Sequence, residues 1–287
     1  ATQEAADALS LGLAYAPFGS GPELDDALEE LREDVGGGSL DAILFPNDIV
    51  GNASRFVADL GRIFPVAEGR FVPVGGMWVE SDTNMPGGEA LARQLVHGKR
   101  FWLDRFGIET EEIWLPDSFG YTAAFPQLVH LSRSKWFLTQ KISWSQFNKF
   151  PHHTFWWEGL DGTRVLTHFN RTHIGPTPET LHEITDGSDP IRENRAAEMR
   201  LFSYGKGDGG GGPEFEMIES ARRLHDLAGV PRCADVTVSE FMHRLEKTIH
   251  RPSVYAGELY LELHRGTLTN QHEIKRGNRL LEIALHN

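Results

Sequence analysis

Apolar residues along this chain fall into two recurring patterns, short unbroken runs and positions three or four apart, and the alternation of the two predicts an α/β protein. Near the start, Gly21-Pro22 introduces ELDDALEELRED, where Leu24, Ala27, Leu28 and Leu31 recur at helical spacing and Pro22 suits a first turn. Gly36 to Gly38 stop that helix, and LDAILFPNDIV follows as an apolar run of strand length. From Arg70, RFVPVGGMWVESDTN reads as a buried strand that runs into a polar loop, so a site is expected to begin at Glu80. GGEALARQLVHGKRFWLDRFG then places Leu91, Leu95, Phe101 and Trp102 at helical intervals and returns the chain for the strand EEIWLP. AAFPQLVHLSR reads as the next helix and KWFLTQ as the next strand. Strand, helix, strand is the unit of a parallel sheet.

TFWWEGLDGTRVLTHF reads as two strands joined across Gly159 to Thr163, with Asp161-Gly162 expected to supply the positive φ angles of a tight hairpin. Residues 170 to 195 hold Pro, Gly and Asp breaks around at most a short helix. A helix is expected from Pro213 to Gly229, and another over EFMHRLEKTIH, where Thr237 and Glu240 have capping-box spacing. GELYLELHRGT reads as an alternating strand with Glu258, Glu262 and His264 on one face.

Composition narrows the partners. At 287 residues with 40% hydrophobic content the chain can bury a sizeable core. Its 41 acidic against 28 basic residues, net −13, oppose nucleic-acid binding, which needs clustered cations. A single cysteine, Cys233, excludes a disulfide framework and a thiolate metal cage, leaving His and carboxylates as ligands. No apolar run approaches the ~20 residues of a membrane span, and ATQEAADALS lacks the order of a signal peptide. A cytoplasmic protein is the expectation.

Candidate chemistry begins at IWLPDSFGY, where Asp117 stands at the exit of an apolar strand, the place where parallel α/β sheets collect their sites. Phe119 and Tyr121 offer flat surface for a sugar ring, and Gly120 permits close approach. A helix-capping role for Asp117 stands as the alternative. In GDGGGGP, four glycines after Asp208 suggest backbone pressed by a ligand, a flexible linker being the alternative. Two carboxylates on different strand ends are what glycoside cleavage requires, so Asp117 and Asp208 form a candidate pair. Seven tryptophans lie between Trp78 and Trp157. Most are expected in the core, but Trp144 sits in the polar run QKISWSQFNKFPHH, with Lys141, Gln146 and Asn148 able to hydrogen-bond hydroxyls. Adjacent His152 and His153 point to opposite strand faces, so at most one serves a given site.

Five segments, taken together and in order, resemble glycoside hydrolase family 38, the retaining α-mannosidases, in its cytosolic and vacuolar branch. They are GRFVPVGGMWVESDTNMPGGEALARQLVHGKRF, IWLPDSFGYTAAFPQL, FLTQKISWSQFNKFPHHTFWWEGLDGTRVLTHF, YGKGDGGGGP and GELYLELHRGTLTNQHEIKRGNR. The resemblance implies a distorted seven-stranded β/α barrel leading into a helical segment. It divides the chain into a divergent N-terminal α/β part (1–66), a β/α catalytic core (67–230) and the end of that domain with the start of a helical region (231–287). It implies terminal α-linked mannose as substrate, Asp117 as nucleophile and metal ligand, and Asp208 as acid/base. Trp78, Phe119, Tyr121, Lys141, Trp144, His264 and Arg265 are the residues expected to contact substrate. The family's zinc is held by an H-x-D-T-A-W-like segment, the nucleophile and a Q-F-H-D-like segment. Neither flanking segment is present here, so His152, His168 or His264 would have to stand in beside Asp117. The chain is therefore expected to be a piece of a longer enzyme or a shortened relative, with a catalytically incomplete or mannose-binding chain as the alternative. Assembly into a homo-oligomer stays open.

Overall fold

A computed structural model describes residue 66, residue 69 and residues 72–170, 196–197, 199–205 and 213–286. The helix and strand expected before residue 66, the connection 171–195 and Asp208 with its glycines lie outside the described residues.

Helix α1 (Gly88–Phe106) buries Leu91, Leu95, Gly98, Lys99 and Trp102, one stripe at helical spacing. It ends at Gly107, whose φ of 69° a side chain would disfavour and whose N–H bonds the Leu103 carbonyl at 2.9 Å. Strand β1 (Glu112–Trp114) follows, then β2 (Gly120–Tyr121), α2 (Phe125–Leu131) and β3 (Trp136–Thr139). A 3₁₀ turn at Lys141–Trp144 leads to β4 (Thr154–Glu158) and β5 (Arg164–Phe169). Helices α3 (Phe215–Leu224) and α4 (Val238–Thr248), strands β6 (Val254–Ala256) and β7 (Leu259–Tyr260), and helices α5 (Gly266–Thr269) and α6 (His272–His286) complete the order. Thr237 caps α4, its Oγ1 accepting the Glu240 N–H at 3.2 Å, while the Glu240 carboxylate pairs with Arg244.

The main sheet has the order β1-β3-β5-β4-β6, with β1/β3, β3/β5 and β4/β6 parallel and only β4/β5 antiparallel. Its short strands are apolar on both sides because both faces are covered. One cluster takes Ile113, Phe137, Phe155, Trp157 and Val165 with Leu91, Leu95, Phe125 and Val129 of α1 and α2. The opposite cluster takes Trp114, Trp136, Leu138 and Leu166 with Phe241, Met242 and Leu245 of α4. The remaining strands β2 and β7 pair antiparallel as a separate ribbon.

Several expectations are corrected. The described strands form a mixed, parallel-rich five-stranded sheet with β1 and β6 outermost, plus a two-stranded ribbon. Residues 72–79 form no regular strand, since Pro73 has no N–H to donate, Gly75 N–H goes to Glu112 Oε1 (3.0 Å) and Trp78 N–H to the Gln94 carbonyl (2.9 Å). In the β4–β5 loop only Gly162 has positive φ (82°), while the Asp161 carboxylate accepts the Thr163 N–H and hydroxyl. The alternating strand expected over 257–267 stops at Tyr260, and His264 turns left-handed (φ 58°), so Glu258, Glu262 and His264 share no strand face. Asn170, at the exit of β5, is buried and its amide donates to Gln140 Oε1 and Ser203 Oγ.

Gly98 sets the distance between α1 and the segment beneath it: a Cβ there would stand 2.5 Å from the Gly76 carbonyl oxygen and 2.6 Å from the Trp78 nitrogen. Because both neighbours are backbone, Gly98→Ala must lift the helix. The expected cost is roughly 1–3 kcal/mol, read as a lowered Tm in thermal melts; an unchanged Tm would refute the contact.

Candidate active site

Three neighbouring parallel strands run the same way, so their C-terminal exits open at one end of the sheet. Asp117 follows β1, Lys141 follows β3, and Asn170 follows β5. Lys141 Nζ lies 3.1 Å from Asp117 Oδ1; the lysine side chain is 9% exposed and the aspartate 45%. The same ammonium sits 3.9 Å from the centre of the exposed Trp144 ring. An almost buried cation thus orients a half-open carboxylate, with an indole face beside both.

The loop that carries Asp117 is bound to residues 80–83. Glu80 Oε1 accepts the backbone N–H groups of Asp117 and of Ser118, the latter at 2.8 Å. Ser118 Oγ donates to the Ser81 carbonyl (2.8 Å) and Thr83 Oγ1 to the Gly120 carbonyl (2.5 Å), while Thr83 bridges Tyr121. Gly120 leaves room for the Asn84 side chain, whose Nδ2 a Cβ here would displace. Tyr121, expected as a stacking surface, is fully buried and braces the loop from below. Its hydroxyl is within 2.8 Å of the Leu115 and Ser118 carbonyls and 2.6 Å of Thr139 Oγ1. Burial drives its pKa well above the usual phenol value.

The other expected contact residues each pack on partners of their own. Phe119 is half-buried and meets His264 edge-on at 5.6 Å. Arg265 donates to Tyr260 Oη at 3.1 Å and lies 5.9 Å from the Phe147 ring. His264 also borders an open cavity of about 550 Å³ with Gly266, Thr267, Thr269 and Asn270. Trp78, 37% exposed, packs edge-on against Phe101 of α1 at 5.7 Å. Asn148 is used internally: Glu262 accepts its N–H at 2.5 Å, its side-chain amide at 2.6 Å and the Phe147 N–H at 3.2 Å. This tie from the segment after β7 to the loop after Trp144 spans 114 residues and leaves no local signal in the sequence.

The donors among the described residues do not assemble a zinc site. Among the described residues no group of three His, Cys, Asp or Glu side chains could hold a metal. His168 is unsuited as a replacement ligand, because its Nε2 accepts the Leu201 N–H at 3.2 Å and its Nδ1 pairs with Thr154 Oγ1 at 2.9 Å. Its burial lowers the pKa well below the usual imidazole value and keeps the ring neutral. His152 stands among the Phe150 and Phe155 rings, and His264 meets Phe119.

A mostly parallel sheet that gathers a carboxylate and an ammonium at adjacent strand exits defines an α/β protein with a candidate site at its strand exits. A model of the glycosyl hydrolases family 38 N-terminal domain matches residues 64–258. Alpha-mannosidase G of Dictyostelium discoideum is 45% identical over 221 residues, 77% of this chain and 20% of its own length. Human Alpha-mannosidase 2C1 is 45% identical over 238 residues, 81% of this chain and 22% of its own. The crystal structure of an alpha-mannosidase from Enterococcus faecalis V583 superposes with a TM-score of 0.60 at 16% identity, covering 83% of this chain and 28% of that one, which shows a shared fold. This chain belongs to glycosyl hydrolase family 38. It spans about a fifth of the length of the curated relatives it matches. No helix among the described residues is long and apolar enough to cross a membrane.

Glu262 generates a pH prediction. Its carboxyl is held below the usual range by the Asn148 backbone N–H first, then by the Asn148 side chain and the Phe147 N–H, with Arg265 adding charge. A depressed folded pKa means that the tie is complete above the ordinary glutamate value and is lost as pH falls through the depressed one. The Phe147 and Asn148 amide resonances are expected to move together at acidic pH, and Glu262→Ala to give the acid-like positions at neutral pH. Amides indifferent to both would refute the tie.

Proposed function

We propose that this chain carries the nucleophile region of a retaining α-mannosidase acting on mannose-containing glycans, and that Asp117 is the nucleophile. The observation that supports it is the half-exposed Asp117 carboxylate, oriented by Lys141 at a strand exit in a family 38 domain. The relatives named as alpha-mannosidases point to the substrate class.

In this reading an Asp117 oxygen attacks the anomeric carbon as the bond to the leaving oxygen breaks, giving a mannosyl ester. An acid protonates the leaving oxygen; Asp208 is proposed for that role. Its conjugate base then takes a proton from water, which attacks the anomeric carbon and returns Asp117 as carboxylate. Lys141 holds one Asp117 oxygen by a charge-assisted bond and leaves the other to attack. Trp144 and the half-buried Phe119 offer faces for the sugar ring, with His264 and Arg265 on the outer rim. Trp78 keeps a proposed contact with an extended glycan.

Zinc belongs to the reading through the family resemblance alone, and no step above depends on it. Chelation followed by added Zn²⁺ decides the matter: restored release of nitrophenol from a nitrophenyl α-mannoside supports a metal requirement, and turnover unaffected by chelation excludes one. For Asp117→Asn the expected result is a loss of kcat on the order of 10³-fold or more, with no covalent labelling by a fluorinated mannosyl inactivator. Activity retained in that variant would end the reading.

A further inference from the structure

We infer that Glu80 is the positioning residue of this site, a carboxylate that fixes Asp117 by accepting two consecutive backbone N–H groups of its loop. The inference rests on the assignment of Asp117 as nucleophile.

Strand β1 ends at Trp114, and the Leu115 N–H still bonds the Leu138 carbonyl at 3.1 Å. Beyond it Pro116 has no N–H, so the first donors released from the sheet are those of Asp117 and Ser118. Such groups at a half-buried strand exit need an acceptor. Both turn to one oxygen, Glu80 Oε1, 37 and 38 residues earlier in the chain. The neighbouring acid serves a different stretch, since Asp82 Oδ1 accepts the Asn84 N–H at 2.9 Å and Oδ2 the Met85 N–H at 3.2 Å.

The pair of bonds fixes the peptide on both sides of the Asp117 Cα, and thereby the direction in which its side chain leaves the backbone. Lys141 fixes the far end by holding Oδ1. A carboxylate anchored at its root by Glu80 and at its tip by Lys141 keeps few alternatives to the attacking geometry. The Ser118 and Thr83 bonds join the same two segments but do not touch Asp117, so they cannot replace Glu80 in this role.

The role requires an acceptor, which glutamine retains and alanine lacks. Amide hydrogen exchange on the full chain reads it without substrate. Glu80→Ala is expected to speed exchange at Asp117 and Ser118 by about tenfold or more while Ile113 in β1 is unchanged; Glu80→Gln is expected to stay within about threefold of the parent. In turnover of a nitrophenyl α-mannoside, Glu80→Ala is expected to lower kcat by tenfold or more at nearly constant KM, with Glu80→Gln restoring most of it. Counting competent sites with the covalent inactivator separates slow molecules from unfolded ones. Unchanged exchange at the two amides in Glu80→Ala, or equal damage from Ala and Gln, overturns the inference. A parent chain without turnover refutes the mannosidase assignment instead, and the exchange result still decides whether Glu80 anchors the loop.

Discussion

Burial of the parallel strands on both faces is the constraint from which the rest follows. Ile113 and Trp114 of β1 point into opposite apolar clusters, and Phe137 and Leu138 of β3 do the same. Strands covered in this way offer solvent no side, only ends. Since β1, β3 and β5 are parallel, the residues that leave the sheet at its C-terminal edge, Asp117, Lys141 and Asn170, converge without any of them having to interrupt a strand. The chemistry can thus be polar and partly open while the scaffold below it stays dry.

How far the sequence discloses this depends on the range of the interaction concerned. Apolar runs and helical stripes are local, so α1, β1, α2, β3, the β4–β5 hairpin and the Thr237 cap are all readable from neighbouring residues. Asp117 is readable too, as an acid just past such a run. The burial of Tyr121 is not, because the same aromatic could stack on a sugar or on Phe137, and only the fold places Phe137 at 4.9 Å. The end of β7 is equally hidden, since the alternation of Glu258, Glu262 and His264 continues past the point where pairing with β2 stops.

The polar connections that shape the site follow one device. Glu80, Glu112 and Glu262 each send a carboxylate across a long chain separation to backbone N–H groups: Glu80 to Asp117 and Ser118, Glu112 to Gly75, Glu262 to Phe147 and Asn148. Each serves a stretch that has left regular pairing, where amides would otherwise go unmet. Glu112 shows how firmly such a tie can be built into the core, since burial raises its pKa while Gly75 and Ser239 supply compensating hydrogen bonds. Segments of irregular backbone thus acquire defined positions, and the site's walls are made of such segments.

His168 separates what a family pattern transfers from what a side chain can do in place. As a histidine at the end of an apolar strand it invites assignment as a metal ligand. A ligand, however, must present an uncommitted nitrogen lone pair. In His168 the Nε2 lone pair receives the Leu201 N–H and the Nδ1 side engages Thr154, so the ring joins β5 to the segment 199–201 inside the protein. Lys141 supplies the positive charge beside Asp117. It is the described cation that contacts Asp117, it lies almost buried, and its position is fixed by the turn that follows β3. Orientation of the Asp117 loop is therefore supplied by this chain's own backbone and side chains, whereas the described donors do not complete a metal shell.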